Sequence, residues 1–158
     1  MRRSVGWELS YPTVDNMLGA PSIFFPVLIL ALWTIGVLVL VGYTRIRAAV
    51  QGAVKVSDFR FGESSAVPER VRLINRNYMN LLEVPVLYYV VCVVTYVVGA
   101  VTSTILFLAW LYVALRIAHS CVHLTYNNVL HRLYVFVASN IVLLVLWIAV
   151  ALHLASMR

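Results

Sequence analysis

The chain has 158 residues, 63% of them hydrophobic and only 11% charged, with a mean hydropathy of +0.92. Soluble globular domains run near half apolar and a quarter charged, so that class is excluded and residues 1–158 read as one all-α integral membrane domain. The net charge of +6 belongs to membrane topology rather than to a nucleic-acid surface, because Arg45, Arg47, Lys55, Arg60, Arg70 and Arg72 gather between the first two apolar segments.

Residues 1–20 do not read as a signal peptide: Arg2 and Arg3 start a charged region, but Glu8, Pro12 and Asp15 interrupt where an apolar run should follow. A spanning helix needs about 20 apolar residues, and the first such segment runs from Ile23 to Tyr43. The connection over about 44–71, with Gly52, Asp58, Gly62, Glu63, Ser64, Ser65 and Pro68, is long for a helix–helix loop. It suits either a disordered loop or a cap over a site at the membrane face. Its basic residues, set against the uncharged connection at Gly99–Ser103, make it the cytoplasmic side of a multi-pass protein, in the inner membrane if the source is bacterial.

Pro68 and Glu69 suit the start of a second helix, which reads as a span from Leu73 to Val98. Pro85 inside it should kink it or remove a backbone bond. The third span runs from Thr104 to Leu124, Asn127 and Asn128 mark a tight turn, and the fourth runs from Leu130 to Leu154. Cys92 and Cys121 lie in apolar helical sequence and read as buried packing thiols, with no disulfide framework or CxxC site. Tyr88, Tyr89, Tyr96, Tyr112 and Trp147 read as packing or membrane-interface anchors.

Two polar stripes interrupt this apolar sequence. Arg72, Arg76, Asn80 and Glu83 fall within roughly 80° of arc at about 100° per residue, on one helix face. Charged residues in a membrane helix normally face the bundle interior or a functional cavity. A buried Glu83 would need a cation or a hydrogen-bond donor, and an arginine is its natural partner. The second stripe is Arg116, His119, Ser120 and His123, with Arg132 at the head of the next helix. Arg45, Arg76, Arg116 and Arg132 could together surround one anionic molecule, since guanidinium stays charged when partly buried and matches carboxylates bidentately. The alternatives are an ion-pair network that only specifies packing and, for Arg45 and Arg132, snorkelling to headgroups. His119 and His123 are four apart, a metal-capable spacing, but no HExxH motif or third ligand set accompanies them, so no metal is expected.

The segment Arg76-Asn77-Tyr78-Met79-Asn80-Leu81-Leu82-Glu83 followed by Pro85, and the segment Arg116 to Ser120 with Arg132 sixteen residues after Arg116, resemble the MAPEG family. These are the membrane-associated proteins in eicosanoid and glutathione metabolism, among them the microsomal glutathione transferases, leukotriene-C synthase and microsomal prostaglandin-E synthase. The similarity covers approximately residues 22–155. It implies a left-handed four-helix bundle that assembles as a homotrimer, with glutathione between neighbouring protomers near the cytoplasmic face. By the same resemblance Arg45 contacts glutathione from a neighbour, Arg76, Asn80 and Glu83 are second-helix ligands, and Glu83 holds the amino group. Arg116, His119 and His123 fall at third-helix positions near the tripeptide, and Arg132 matches the arginine that stabilises the thiolate. The chain departs from the pattern at three places. His123 stands where several eicosanoid-forming members carry tyrosine, Leu133 where prostaglandin-E synthase has serine, and Phe136 where a further tyrosine falls.

The resemblance implies a membrane-embedded glutathione transferase or peroxidase acting on lipophilic electrophiles. Leu133 and Phe136 keep open a second reading, a non-catalytic lipid-binding scaffold or accessory subunit of a membrane complex. A channel ranks last, because the polar residues cluster toward one end of the helices and the far halves are apolar.

Overall fold

Residues 20–59 and 66–157 are described by the computed structural model of the chain. The first nineteen residues, on which the leader reading rests, lie outside the described part. So do Arg60, Gly62, Glu63, Ser64 and Ser65 of the first connection.

Among the described residues the apolar segments become helices and no strand forms. A short 3-10 turn at Ala20–Ile23 leads into α1, Phe24–Val50. The second span is split into α2, Glu69–Leu82, and α3, Pro85–Val97. Then follow α4, Ser103–Leu124, and α5, Val129–Ser156. Four helical stretches are long and apolar enough to cross a membrane: Pro21–Val50, Glu69–Val97, Ser103–Leu124 and Val129–Ser156. The chain is therefore a four-helix membrane bundle.

Two boundaries differ from the sequence expectation. The first helix does not stop near Tyr43 but continues through Thr44, Arg45, Ile46 and Arg47 to Val50. At 1.5 Å per residue its 27 residues reach about 40 Å, more than the ~30 Å hydrocarbon layer. Its basic last turns can therefore leave the apolar region without ending the helix. The second helix starts at Glu69 rather than Leu73, with Pro68 in an extended conformation (φ −51°, ψ 138°) just before it. The first connection is correspondingly shorter. Its described flanks are packed, with Val54 and Val67 buried against Ala48 and Val71.

Each remaining end has a local cause. Gly99 adopts φ +66°, the left-handed conformation that ends a helix cheaply. The Thr102 hydroxyl caps α4 by accepting from Ile105 N at 3.2 Å. Asn127 turns the chain with φ +48°, a conformation asparagine tolerates better than most residues. Asn128 then caps α5, its side-chain oxygen accepting from Leu130 N at 3.0 Å and His131 N at 3.1 Å. This asparagine pair makes the tight turn that the sequence marks.

The core runs along the axis through Leu30, Leu81, Tyr88, Val91, Tyr112, Val113 and Leu146. Tyr88 and Tyr112 are fully buried and stacked, with ring centroids 4.4 Å apart and planes 19° apart. Large apolar side chains such as Leu32, Val39, Phe107 and Leu152 point outward, as lipid contact requires. Cys92 is buried, but Cys121 faces outward, so the packing role expected for both thiols holds for one of them.

Without a hydrophobic drive between helices in lipid, polar contacts and close packing decide which faces meet. One polar node joins three spans here. The Ser120 hydroxyl on α4 accepts from the Trp33 indole N–H of α1 at 3.0 Å and from the Asn77 amide of α2 at 2.7 Å. Removing that oxygen leaves two donors without an acceptor, at a cost of about 1–3 kcal/mol for each buried group. Ser120→Ala should therefore destabilise the bundle by about 2 kcal/mol in denaturant unfolding followed by circular dichroism. Combining it with Asn77→Leu should recover part of that loss. A Ser120→Ala protein as stable as the parent would remove the node from the account of helix pairing.

Candidate active site

The second span breaks because Pro85 has no N–H to give and its ring crowds the preceding turn. Glu83 N–H still donates to Met79 O at 3.1 Å, but Glu83 itself leaves the helical region with ψ −84°. Pro85 then begins α3 in the first-turn position where proline is tolerated. This is the kink the sequence predicts, and it has a chemical result. A break here loosens the Asn80 carbonyl from its partner four residues on, and the Arg116 guanidinium takes it, Nη2 donating to Asn80 O.

Arg116 is fully buried, in the middle reach of α4. Besides that one hydrogen bond, its guanidinium lies over the Phe136 ring, 5.6 Å from the centroid, within the range of cation–π attraction. Its Nε and Nη1 are buried and have no partner. A guanidinium carries five N–H donors, so most of its hydrogen-bonding capacity is turned to the interior and unspent.

Beside it opens a cleft of about 240 Å³ lined by Asn80, His119, Val129, Arg132, Leu133 and Phe136. The geometry thus brings together Asn80 from α2, His119 from α4 and Arg132 from α5, three residues singled out in the sequence. Arg132 is held by its own turn, Nη1 donating to Asn127 Oδ1 at 2.7 Å, while its Nε is buried without a partner. The His119 ring stands 5.7 Å from the Phe136 ring and its Nδ1 has no partner. The apolar wall is made by Leu133 and Phe136, the two positions where hydroxyls were expected from the resemblance.

Other candidates do not line this cleft within the single chain. Arg76 and Glu83 are exposed. Glu83 belongs to the break rather than to the helix that carries Arg72, Arg76 and Asn80. Its expected burial against an arginine is corrected accordingly, because the interior face of α2 is Val71, Ile74, Asn77 and Leu81. Arg45 donates to Asn75 Oδ1 at 3.0 Å and lies 5.0 Å from the Phe59 ring centroid, so it is held between α1, α2 and the first connection. His123 is buried 6.1 Å from the His119 ring with neither ring nitrogen partnered. It lines a neighbouring cleft with Arg70, Ile74 and Thr125. Of the four arginines Arg45 is thus held elsewhere in one copy of the chain, while Arg76, Arg116 and Arg132 lie within electrostatic reach of the His119–His123 pair.

Asn77 and Trp33 were missed by the sequence reading. Asn77 lies inside the quoted second-helix segment and is completely buried. The available signal was its register, a single amide on the otherwise apolar row Val71, Ile74 and Leu81. Trp33 gave no signal beyond an aromatic in an apolar run.

Neither a curated protein nor a solved structure matches the chain. The family model described as the MAPEG family matches residues 23–152. That match takes in residues of all four spans, the break in the second one and the cleft, and with it the chain belongs to the MAPEG family, multi-pass membrane proteins of glutathione and eicosanoid metabolism.

Proposed function

We propose that the protein is a membrane-embedded, glutathione-dependent transferase or peroxidase acting on lipophilic electrophiles dissolved in the bilayer. The observation that carries this reading is Arg116, a fully buried guanidinium with two unpartnered nitrogens beside a polar cleft. A buried cation needs an anion or a full set of acceptors, and among the described residues Glu83 acts on it from a distance but no carboxylate forms an ion pair with it. Glutathione is an anion of suitable chemistry, and the family generally uses it.

In this reading Asn80, His119 and Arg116 bind the tripeptide and Arg132 is the catalytic group. A cation beside a thiol favours the thiolate, which is the nucleophile. That matters because a free thiol is only a few per cent ionised at neutral pH. The thiolate sulfur forms a bond to the electrophilic carbon, and the displaced group leaves with the bonding electron pair. Arg76, Glu83 and His123 extend the same copy's part of the site, and Arg45 completes it from a neighbouring copy. The outward exposure of Arg76 and Glu83 supports such sharing, and a homotrimer is therefore part of the proposal. The first connection is placed on the cytoplasmic side.

Leu133 and Phe136 favour a second reading. They give the cleft an apolar wall without hydroxyls, which suits a non-catalytic lipid-binding scaffold or accessory subunit built on the same fold.

Titration calorimetry with glutathione on the detergent-purified protein separates the two. Saturable binding is expected, weakened about tenfold or more in Arg116→Ala and in Glu83→Gln, since a hydrogen bond to a charged group contributes roughly 1.5–3 kcal/mol. Absence of binding at millimolar glutathione moves the assignment to the scaffold, and unchanged affinity in both variants overturns the site.

Arg132→Gln should change binding only a few-fold but lower turnover of a small aryl halide by roughly 10²-fold, the size of effect seen when one preorganised donor to a developing anion is lost. The ultraviolet absorbance of bound thiolate should fall with it. A variant with full turnover would remove Arg132 from catalysis.

A further inference from the structure

On the opposite side of α1 from Arg45, a second surface feature is lined by different residues. An apolar groove of about 460 Å³ runs between α1 and α4, past Ile29, Trp33, Gly36 and Leu40. At Leu40 it meets a polar cleft of about 290 Å³ that includes Tyr43, Arg47, Gln51 and Arg70. The two clefts share Leu40, so an apolar length adjoins a basic end, and together they are termed the trough. Arg47 and Arg70 are exposed, and among the described residues no carboxylate lines either part. Arg45 lies roughly 160° around the helix from Arg47 at 100° per residue, so this trough does not share the arginine assigned above to glutathione.

The dimensions identify what fits. From Ile29 to Leu40 the groove extends about 16 Å at 1.5 Å per residue, close to half the ~30 Å hydrocarbon layer. That length matches the acyl depth of one leaflet, and Arg47 lies about 10 Å further along the same helix at 1.5 Å per residue, next to Arg70 in the second cleft. Gly36 keeps the groove open: a Cβ added there would meet no heavy atom within 4 Å. Each arginine close to an anionic headgroup contributes roughly a fivefold preference.

We propose that this trough is a specific site for an anionic phospholipid of the surrounding bilayer, with one acyl chain along Trp33, Gly36 and Leu40 and the phosphate between Arg47 and Arg70. It does not depend on the glutathione reading: Trp33, Gly36, Leu40 and Arg47 have no part in that site, and Arg70, although it also lines the cleft of His123, is given no role in it.

Native mass spectrometry of the detergent-purified full chain tests it, titrating phosphatidylglycerol and phosphatidylcholine with identical acyl chains. Phosphatidylglycerol should be retained about tenfold better or more. The doubly substituted Arg47→Gln, Arg70→Gln protein should lose that preference, and Gly36→Phe should reduce retention of both lipids. Equal retention of the two lipids by the parent protein overturns the proposal, as does a preference that survives the double substitution. If Gly36→Phe instead dissociates an oligomer, the groove belongs to another copy of the chain and the lipid assignment fails. Should Gly36→Phe fail to fold, the paired glutamines, at exposed positions, decide the matter alone.

Discussion

The guanidinium of Arg116 is the point on which the arrangement turns. It is a charge fully withdrawn from water inside a membrane span, yet among the described residues it is met directly by one carbonyl and one aromatic face. The carbonyl is available because Pro85 interrupts the second span, and the aromatic face is Phe136 from α5. Proline, arginine and phenylalanine come from three different helices, and each makes sense only beside the others. Replacing proline alone would return the Asn80 carbonyl to its own helix and leave the cation with less than it already has.

The polar contacts divide into two kinds. The node of Trp33, Asn77 and Ser120 is closed at the serine: both donors converge on one oxygen, and its effect is to hold α1, α2 and α4 in register. The cleft groups are open: Arg116, His119 and Arg132 each keep a buried nitrogen without a partner. In the low dielectric of a membrane interior such incompleteness is costly. The closed node fixes the scaffold from which the open cleft is displayed.

Much of this was legible in the sequence because its signals were chemical and local. Apolar length located the four spans, Pro85 announced the break, and Asn127 with Asn128 announced the turn. The stripe of Arg116, His119, Ser120 and His123 is buried as its spacing suggested. The face of α2 was less legible. Arg72, Arg76, Asn80 and Glu83 share an arc on an unbroken helix, but the helix ends at Leu82 and its interior row is offset toward Asn77. Periodicity gives relative positions on a cylinder and cannot say which side of the cylinder meets a neighbour. In a membrane the usual guide, that apolar faces point inward, is also lost because both sides are apolar. The end of α1 was misplaced for a related reason, since Arg45 and Arg47 halt hydrophobicity without halting helix geometry.

The split second span also bears on how the protein is made. Glu69–Val97 carries Arg70, Arg72, Arg76 and Glu83, and Ser103–Leu124 carries Arg116. A charged residue at the centre of a lone helix costs roughly 2.5–3.5 kcal/mol in insertion from the translocon. The third span emerges from the ribosome immediately after the second, joined by the short uncharged connection at Gly99. The arginine of one segment can then meet the loosened carbonyl of the other while both are still at the insertion site. The two most polar segments would enter the bilayer as a pair, so a lesion in either one should show itself as failed biogenesis of both.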